Sequence, residues 1–159
     1  MATMIYDPVA IARQFLFVRE AQDIGQNRGA RVEAIQHWAL GTFGDSWCDE
    51  FSVGMVLDIC FQGNSPFPRK TETNASVQQT LDFARAQEWI TTTPVPGDLV
   101  VSVDPTTGHG HHIAIVTVVT PLTSIAGNTS EDGSSSNGDR VAEHKISSAN
   151  KVFIHYPRT

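Results

Sequence analysis

What this 159-residue chain lacks narrows its class before any motif is considered. Positive charge is scarce: 11 Lys and Arg stand against 17 Asp and Glu, a net charge of -6, and no basic cluster departs from that average. A nucleic-acid surface is therefore not expected, and neither an anionic wall polymer nor a membrane would attract the chain by charge. No apolar run reaches membrane-spanning length, so no membrane insertion is expected. The segment MATMIYDPVAIARQFLFVRE has no basic stretch followed by an unbroken apolar one, so no standard export signal is expected. Internal repeats and low-complexity tails are missing too. With 40% hydrophobic residues, one domain over residues 1–159 is the expectation.

Cysteine is scarce as well, and the two present, Cys48 and Cys60, fall in one stretch, GDSWCDEFSVGMVLDIC. Phe51, Met55 and Ile59 recur there at helical spacing, which predicts a helix over 46–60. Ser46 and Asp49 have the spacing of a capping box, which would put Cys48 in the first turn. Twelve residues of helix separate the thiols by roughly 18 Å, beyond disulfide reach. Cys60 then reads as a buried small hydrophobe. Cys48 sits where backbone N–H groups and the helix dipole favour a thiolate, which is the nucleophilic form.

Further helices are expected over about 8–22, 30–40 and 74–87, with a proline-containing loop, FQGNSPFPRKTET, before the last. From Gly97 the period changes. GDLVVSV, HHIAIVTVV, LTSIAGN, RVAEHKI and KVFIHY read as strands, and their short connections favour antiparallel neighbours. Helices first and strands afterwards is the α+β pattern, here N-terminal helices packed on a C-terminal sheet of five or six strands. The long connection TSEDGSSSNGD is expected to be a mobile surface loop.

A thiol nucleophile needs a base close in space, and the base needs a group that fixes its ring. Among six histidines, His37, His144 and His155 read as surface or half-buried residues. His112 opens a continuous apolar strand in GHGHHIAIV, and a hairpin partner ending in IAGNTS would bring Asn128 beside it. If that strand is regular from its start, His112 shares a face with Ala114, Val116 and Val118. Ala114 leaves room for the end of the Cys48 helix, so this face is expected to meet it. The order Cys48, His112, Asn128 is that of the cysteine, histidine and asparagine of papain-like hydrolases.

SWCDEF opening a helix, then PVPGDLVV, GHHIAIV and AGNTS, together with the upstream GQNRGARVEAIQ, resemble the CHAP domain, a cysteine- and histidine-dependent amidohydrolase/peptidase family. The similarity covers roughly residues 20–156. It implies a papain-like fold and cleavage of amide bonds in bacterial peptidoglycan, at the sugar-to-peptide bond or within the stem or cross-bridge peptide. Cys48 would attack, His112 would carry the proton, Asn128 would orient the imidazole, and Trp47 and His111 would border the substrate. A monomer is expected, without cofactor or metal; the acidic loop around Glu131 and Asp132 lacks the spaced carboxylates of a calcium loop. A phage-type lysin, made in the bacterial cytoplasm and acting on the wall after release, fits this pattern. Two departures stand out: many members carry a glutamate where this chain has Ala126, and Asp49 and Glu50 put negative charge beside the nucleophile. Rival readings are a metallohydrolase using His109, His111 and His112, and a non-catalytic member that binds wall fragments or a protein.

Overall fold

A computed structural model describes residues 3–68, 76–135 and 137–159. The RKTET end of the proline loop and the first two positions of the helix expected at 74–87 lie outside the described residues. Among the described residues the fold is α+β, with four α-helical segments, one π-helix and a six-stranded antiparallel sheet. No helix among the described residues is long and apolar enough to cross a membrane.

Helix α1 (Pro8–Arg13) starts because the Asp7 carboxylate accepts from Val9 N at 3.1 Å and Ala10 N at 3.3 Å, with proline at the first position. It ends well before residue 22, the expected limit. The chain beyond it is taken by the sheet edge: Val141 N donates to Val18 O at 3.1 Å and Glu20 N to Asp139 O at 2.7 Å. An exposed strand edge offers unpaired backbone groups, and pairing there outweighs local helical propensity. Helix α2 (Ala30–Trp38) follows the expected span.

The stretch around the cysteines differs most from expectation. Helical geometry begins at Cys48, but Glu50–Leu57 is a π-helix, continued by α3 (Asp58–Cys60). Its residues are buried on nearly every side, Phe51, Val56 and Leu57 completely, so it is a central rod and not a one-sided surface helix. Helix α2 crosses it at Gly54, where a Cβ would collide with the side chain of Ala39. The capping box does not form. Trp47 O accepts Phe51 N at 2.9 Å, Ser46 Oγ takes a bond from the sheet, and Asp49 Oδ1 accepts Thr80 Oγ1 of α4 (Val77–Ala86) at 2.8 Å.

The strands are β1 (Ile90–Thr91), β2 (Leu99–Val103), β3 (Gly110–Val118), β4 (Thr123–Thr129), β5 (Arg140–Lys145) and β6 (Lys151–Ile154), in the order β1-β6-β2-β3-β4-β5. Five are those expected; β1 is a two-residue addition that covers the outer edge of β6. Alternation divides the sheet. Leu99, Val101, Ile113, Ile115, Ile125 and Ile154 join Cys48, Phe51, Leu57 and Leu81 in the main core. Val100, Ala114, Val116 and Ala126 form a second, smaller cluster, with Phe153 packed against it. The face expected to meet the Cys48 helix is therefore the wrong one: Ile113 and Ile115 pack with it, while Ala114 and Val116 belong to the opposite side. Bulk was needed under the helix, where the sheet and the rod meet, and small residues suit the second face.

Candidate active site

Cys48 is the first helical residue, in no disulfide and only 1% exposed. Trp47, just before it, is fully buried, and its indole Nε1 donates to Glu20 Oε1 at 2.9 Å. Trp47 thus anchors the helix mouth from inside. Cys60 is also buried and free, with its thiol pushed up to about 12 by burial and by the nearby Asp7 carboxylate.

Neither acid beside Cys48 behaves as a solvent-facing charge. Asp49 is buried and holds the Thr80 hydroxyl. Glu50 is fully buried and neither of its carboxyl oxygens has a hydrogen-bond partner. Burial, reinforced by Asp45, pushes Glu50 up to about 8, so at neutral pH it is mainly the uncharged acid. The repulsion expected of Glu50 against a thiolate is thus removed by desolvation.

His112 is 9% exposed and pairs across the strands with Ser102. The next pair is Val103 with Gly110, so His111 is the extra residue of a bulge, and it is exposed. Gly110 anchors this bulge: its N–H donates to Gln78 Oε1 at 2.6 Å, and a Cβ there would press on Val101, Leu81 and Val77. On the other side of β3 the pairing with β4 runs from Val118–Thr123 to Ile115–Ile125, so His112 and Asn128 lie on adjacent strands, each three residues beyond the last pair.

Asn128 is where the sheet meets the helix mouth. The register of β4 with β5 shifts between Ala126 and Thr129, and Asn128 takes φ 53°, a left-handed conformation that asparagine tolerates better than most residues. Gly127 beneath it lies flat on the helix, since a Cβ would stand 2.7 Å from Trp47 Cζ3 and 2.8 Å from Phe51 Cβ. The turn sends the fully buried Asn128 side chain to Ser46, with Nδ2 donating to Ser46 Oγ at 2.7 Å and more weakly to Asn137 Oδ1 at 3.4 Å. Asn128 Oδ1 is buried and has no partner. An unpaired buried acceptor is costly, about 1–3 kcal/mol, and marks a group available to a donor.

Ala126, standing where the resembled family has glutamate, is packed with Ala114 and Val100 in the second cluster. Ser46 holds Asn128 instead, a role its local sequence does not announce. Glu20 and Asn137 were equally hidden, because each acts through a contact distant in sequence.

The loop expected to be mobile is internally bonded. Asp132 Oδ1 accepts Ser130 Oγ and Ser134 N, both at 2.9 Å, and these bonds hold its carboxyl down at about 2. With Glu20 and Gln26, the loop residues Ser130, Asn137 and Asp139 line an open groove, and Asn137 joins it to Asn128. His37 and His155 are exposed and His144 is half-buried, its pKa lowered by burial, as their sequence contexts implied. His109 and His111 are both exposed, and no group of three or more His, Cys, Asp or Glu is gathered as metal ligands among the described residues.

No family model, no curated protein and no solved structure matches this chain.

Proposed function

We propose that this protein is a thiol amidohydrolase of the CHAP type, with a papain-like arrangement, that cleaves amide bonds of bacterial peptidoglycan as a phage-type lysin does. One observation carries the reading: the Asn128 amide is tied to Ser46 at the mouth of the Cys48 helix and its buried Oδ1 is left open, on the strand adjacent to the one that bears His112. That is the position from which an amide oxygen can fix an imidazole.

In this mechanism His112 takes the Cys48 thiol proton, and the thiolate so formed attacks the carbonyl carbon. The backbone N–H of Cys48 is the first donor to the oxyanion. The carbon–nitrogen bond then breaks, His112 returns the proton to the departing amine, and water hydrolyses the thioester. Asn128 keeps the ring in place. Asp49 and Glu50 do not place a solvated negative pair beside the sulfur, since one is bound to Thr80 and the other is held neutral by burial.

The metallohydrolase reading has less support, because two of its three histidines are exposed and no ligand group is gathered among the described residues. A non-catalytic binding member of the same fold has one observation on its side, the 1% exposure of Cys48. Digestion of purified sacculi, read by mass spectrometry, separates these readings. The hydrolase releases fragments with new amine and carboxyl termini, survives a chelator, and loses this activity in Cys48→Ser. Intact sacculi bound by the wild-type protein would favour the non-catalytic member.

A further inference from the structure

The outward side of α2 departs from an ordinary helix surface. Its five exposed positions are Ala30, Arg31, Ala34, His37 and Trp38, and Arg31 alone among them carries a permanent charge. Trp38 is 47% exposed, and Phe17, in the segment that follows α1, is 55% exposed. With Arg31 these two rings border an apolar groove of about 310 Å³, whose floor is the core itself: Val18, Ile35 and Met55, all buried. Single apolar residues on a surface need no explanation, but a concavity walled by exposed rings and floored by core side chains does. Its volume falls within the range of small-molecule sites, roughly 300–1,000 Å³.

Two features define what fits. The walls are fixed in advance: Trp38 Nε1 donates to Asp58 Oδ2 at 3.0 Å, and the Arg31 guanidinium lies 4.6 Å from the centre of the Phe17 ring. Charge is the second feature. The chain carries 17 acids against 11 bases, yet among the described residues no acid lines the groove and its one base, Arg31, makes no ion pair. A ligand that fills this space is therefore apolar along its length and anionic at one end. The concavity takes an inserted chain, whereas an anionic bilayer is a flat surface that would also meet the rest of a chain of net charge -6.

We propose that this groove binds one free amphiphile of the fatty-acid class, its alkyl chain lying on Val18, Ile35 and Met55 between Phe17 and Trp38, and its carboxylate on Arg31. The groove meets the central rod at Met55 and Ile59, toward its end, while Cys48 lies at its beginning. Neither Cys48, His112 nor Asn128 lines it, so this binding does not depend on the hydrolase reading.

The test uses the full chain with octanoate, decanoate, decanol and decyltrimethylammonium, all below their micelle concentrations, in titration calorimetry. Tryptophan fluorescence gives a second readout, because Trp38 is exposed while Trp47 is fully buried and Trp89 half-buried; filling the groove shifts the Trp38 emission to the blue. Decanoate is expected to bind about fivefold tighter than decanol, and the cationic analogue most weakly. Octanoate should be weaker than decanoate, since each buried methylene adds up to about fourfold. Arg31→Gln should bring decanoate down to the affinity of decanol, Arg31→Lys should keep part of the preference, and Phe17→Ala should weaken both probes. Both positions are exposed, so these variants leave the core intact. No saturable binding of decanoate, equal affinity for decanoate and decanol, or a preference unchanged in Arg31→Gln overturns the proposal. So does binding to phosphatidylglycerol vesicles with none to monomeric decanoate, which would make this face a bilayer contact. A dimer in analytical ultracentrifugation that Phe17→Ala dissociates and decanoate does not would overturn it too, by assigning the groove to a second copy of the chain.

Discussion

Replacing Glu50 by glutamine isolates the most unusual electrostatic feature of the helix mouth. Glu50 is fully buried, its two oxygens have no hydrogen-bond partner, and no room exists for a Cβ at Gly41, which its carboxyl presses upon. Burial raises its pKa from the ordinary 4.5 to about 8. Folding therefore favours the protonated acid. The stability this group contributes is fully present below pH 4.5 and is lost progressively as pH rises to 8, because the unfolded chain gains by ionising first. At pH 7 the loss covers the interval from 4.5 to 7, which at about 1.4 kcal/mol per pH unit amounts to ~3 kcal/mol. Such a term is a large part of the 5–15 kcal/mol that holds a typical domain together, roughly speaking. Glutamine has the same shape and cannot ionise, although its extra N–H donors cost about 1–3 kcal/mol if they stay unpaired. That cost is independent of pH, so the informative quantity is the slope. Urea unfolding of both proteins at pH 4, 5.5, 7 and 8 should show the wild type losing about 3 kcal/mol relative to Glu50→Gln between pH 4 and 7. Parallel curves would mean that Glu50 is ionised or partnered in the fold, and the account of a neutral acid behind Cys48 would be wrong.

Cys48→Ser should abolish release of wall fragments without changing the circular dichroism of the fold, whereas Cys60→Ser should retain turnover and cost stability. With its thiol pushed up to about 12, Cys60 should resist iodoacetamide at pH 8, and peptide mapping that finds Cys60 alkylated before Cys48 would reassign the nucleophile. His112→Ala should remove turnover and His111→Ala should keep most of it, because His111 is the bulged, exposed residue while His112 is buried and held in register with Ser102; the opposite result in the sacculus assay would redraw the site. Gly127→Ala forces a methyl to within 2.7 Å of the Trp47 ring, and thermal or urea unfolding should show about 1–3 kcal/mol of destabilisation. An unchanged stability would show that the sheet can lift from the helix at little cost.

Periodicity and turn chemistry in the sequence determined the order of elements, helices and then strands, because burial of one face imprints itself on neighbouring residues. Five of the six strands and the antiparallel pairing were legible this way, and so were Cys48 at a helix start and a buried Cys60 at the end of the same helical stretch. Local signals also place His112 near the start of its strand, although β3 begins two residues earlier, at Gly110. What the sequence did not contain were interactions made by residues far apart along the chain. The π-helix arises in a rod enclosed on nearly every side, and residues 18–20 leave their helical pattern to pair with the far end of the chain. Which face of β3 meets the helix could not be read from residue size alone, since both faces are covered and both read as apolar. The turn at Asn128 and its bond to Ser46, 82 residues away, exist only because Gly127 lets the sheet lie against Trp47. Tertiary contact likewise keeps Glu50 neutral: its acidity is a property of the space around it, and a string of residues has no space to be buried in.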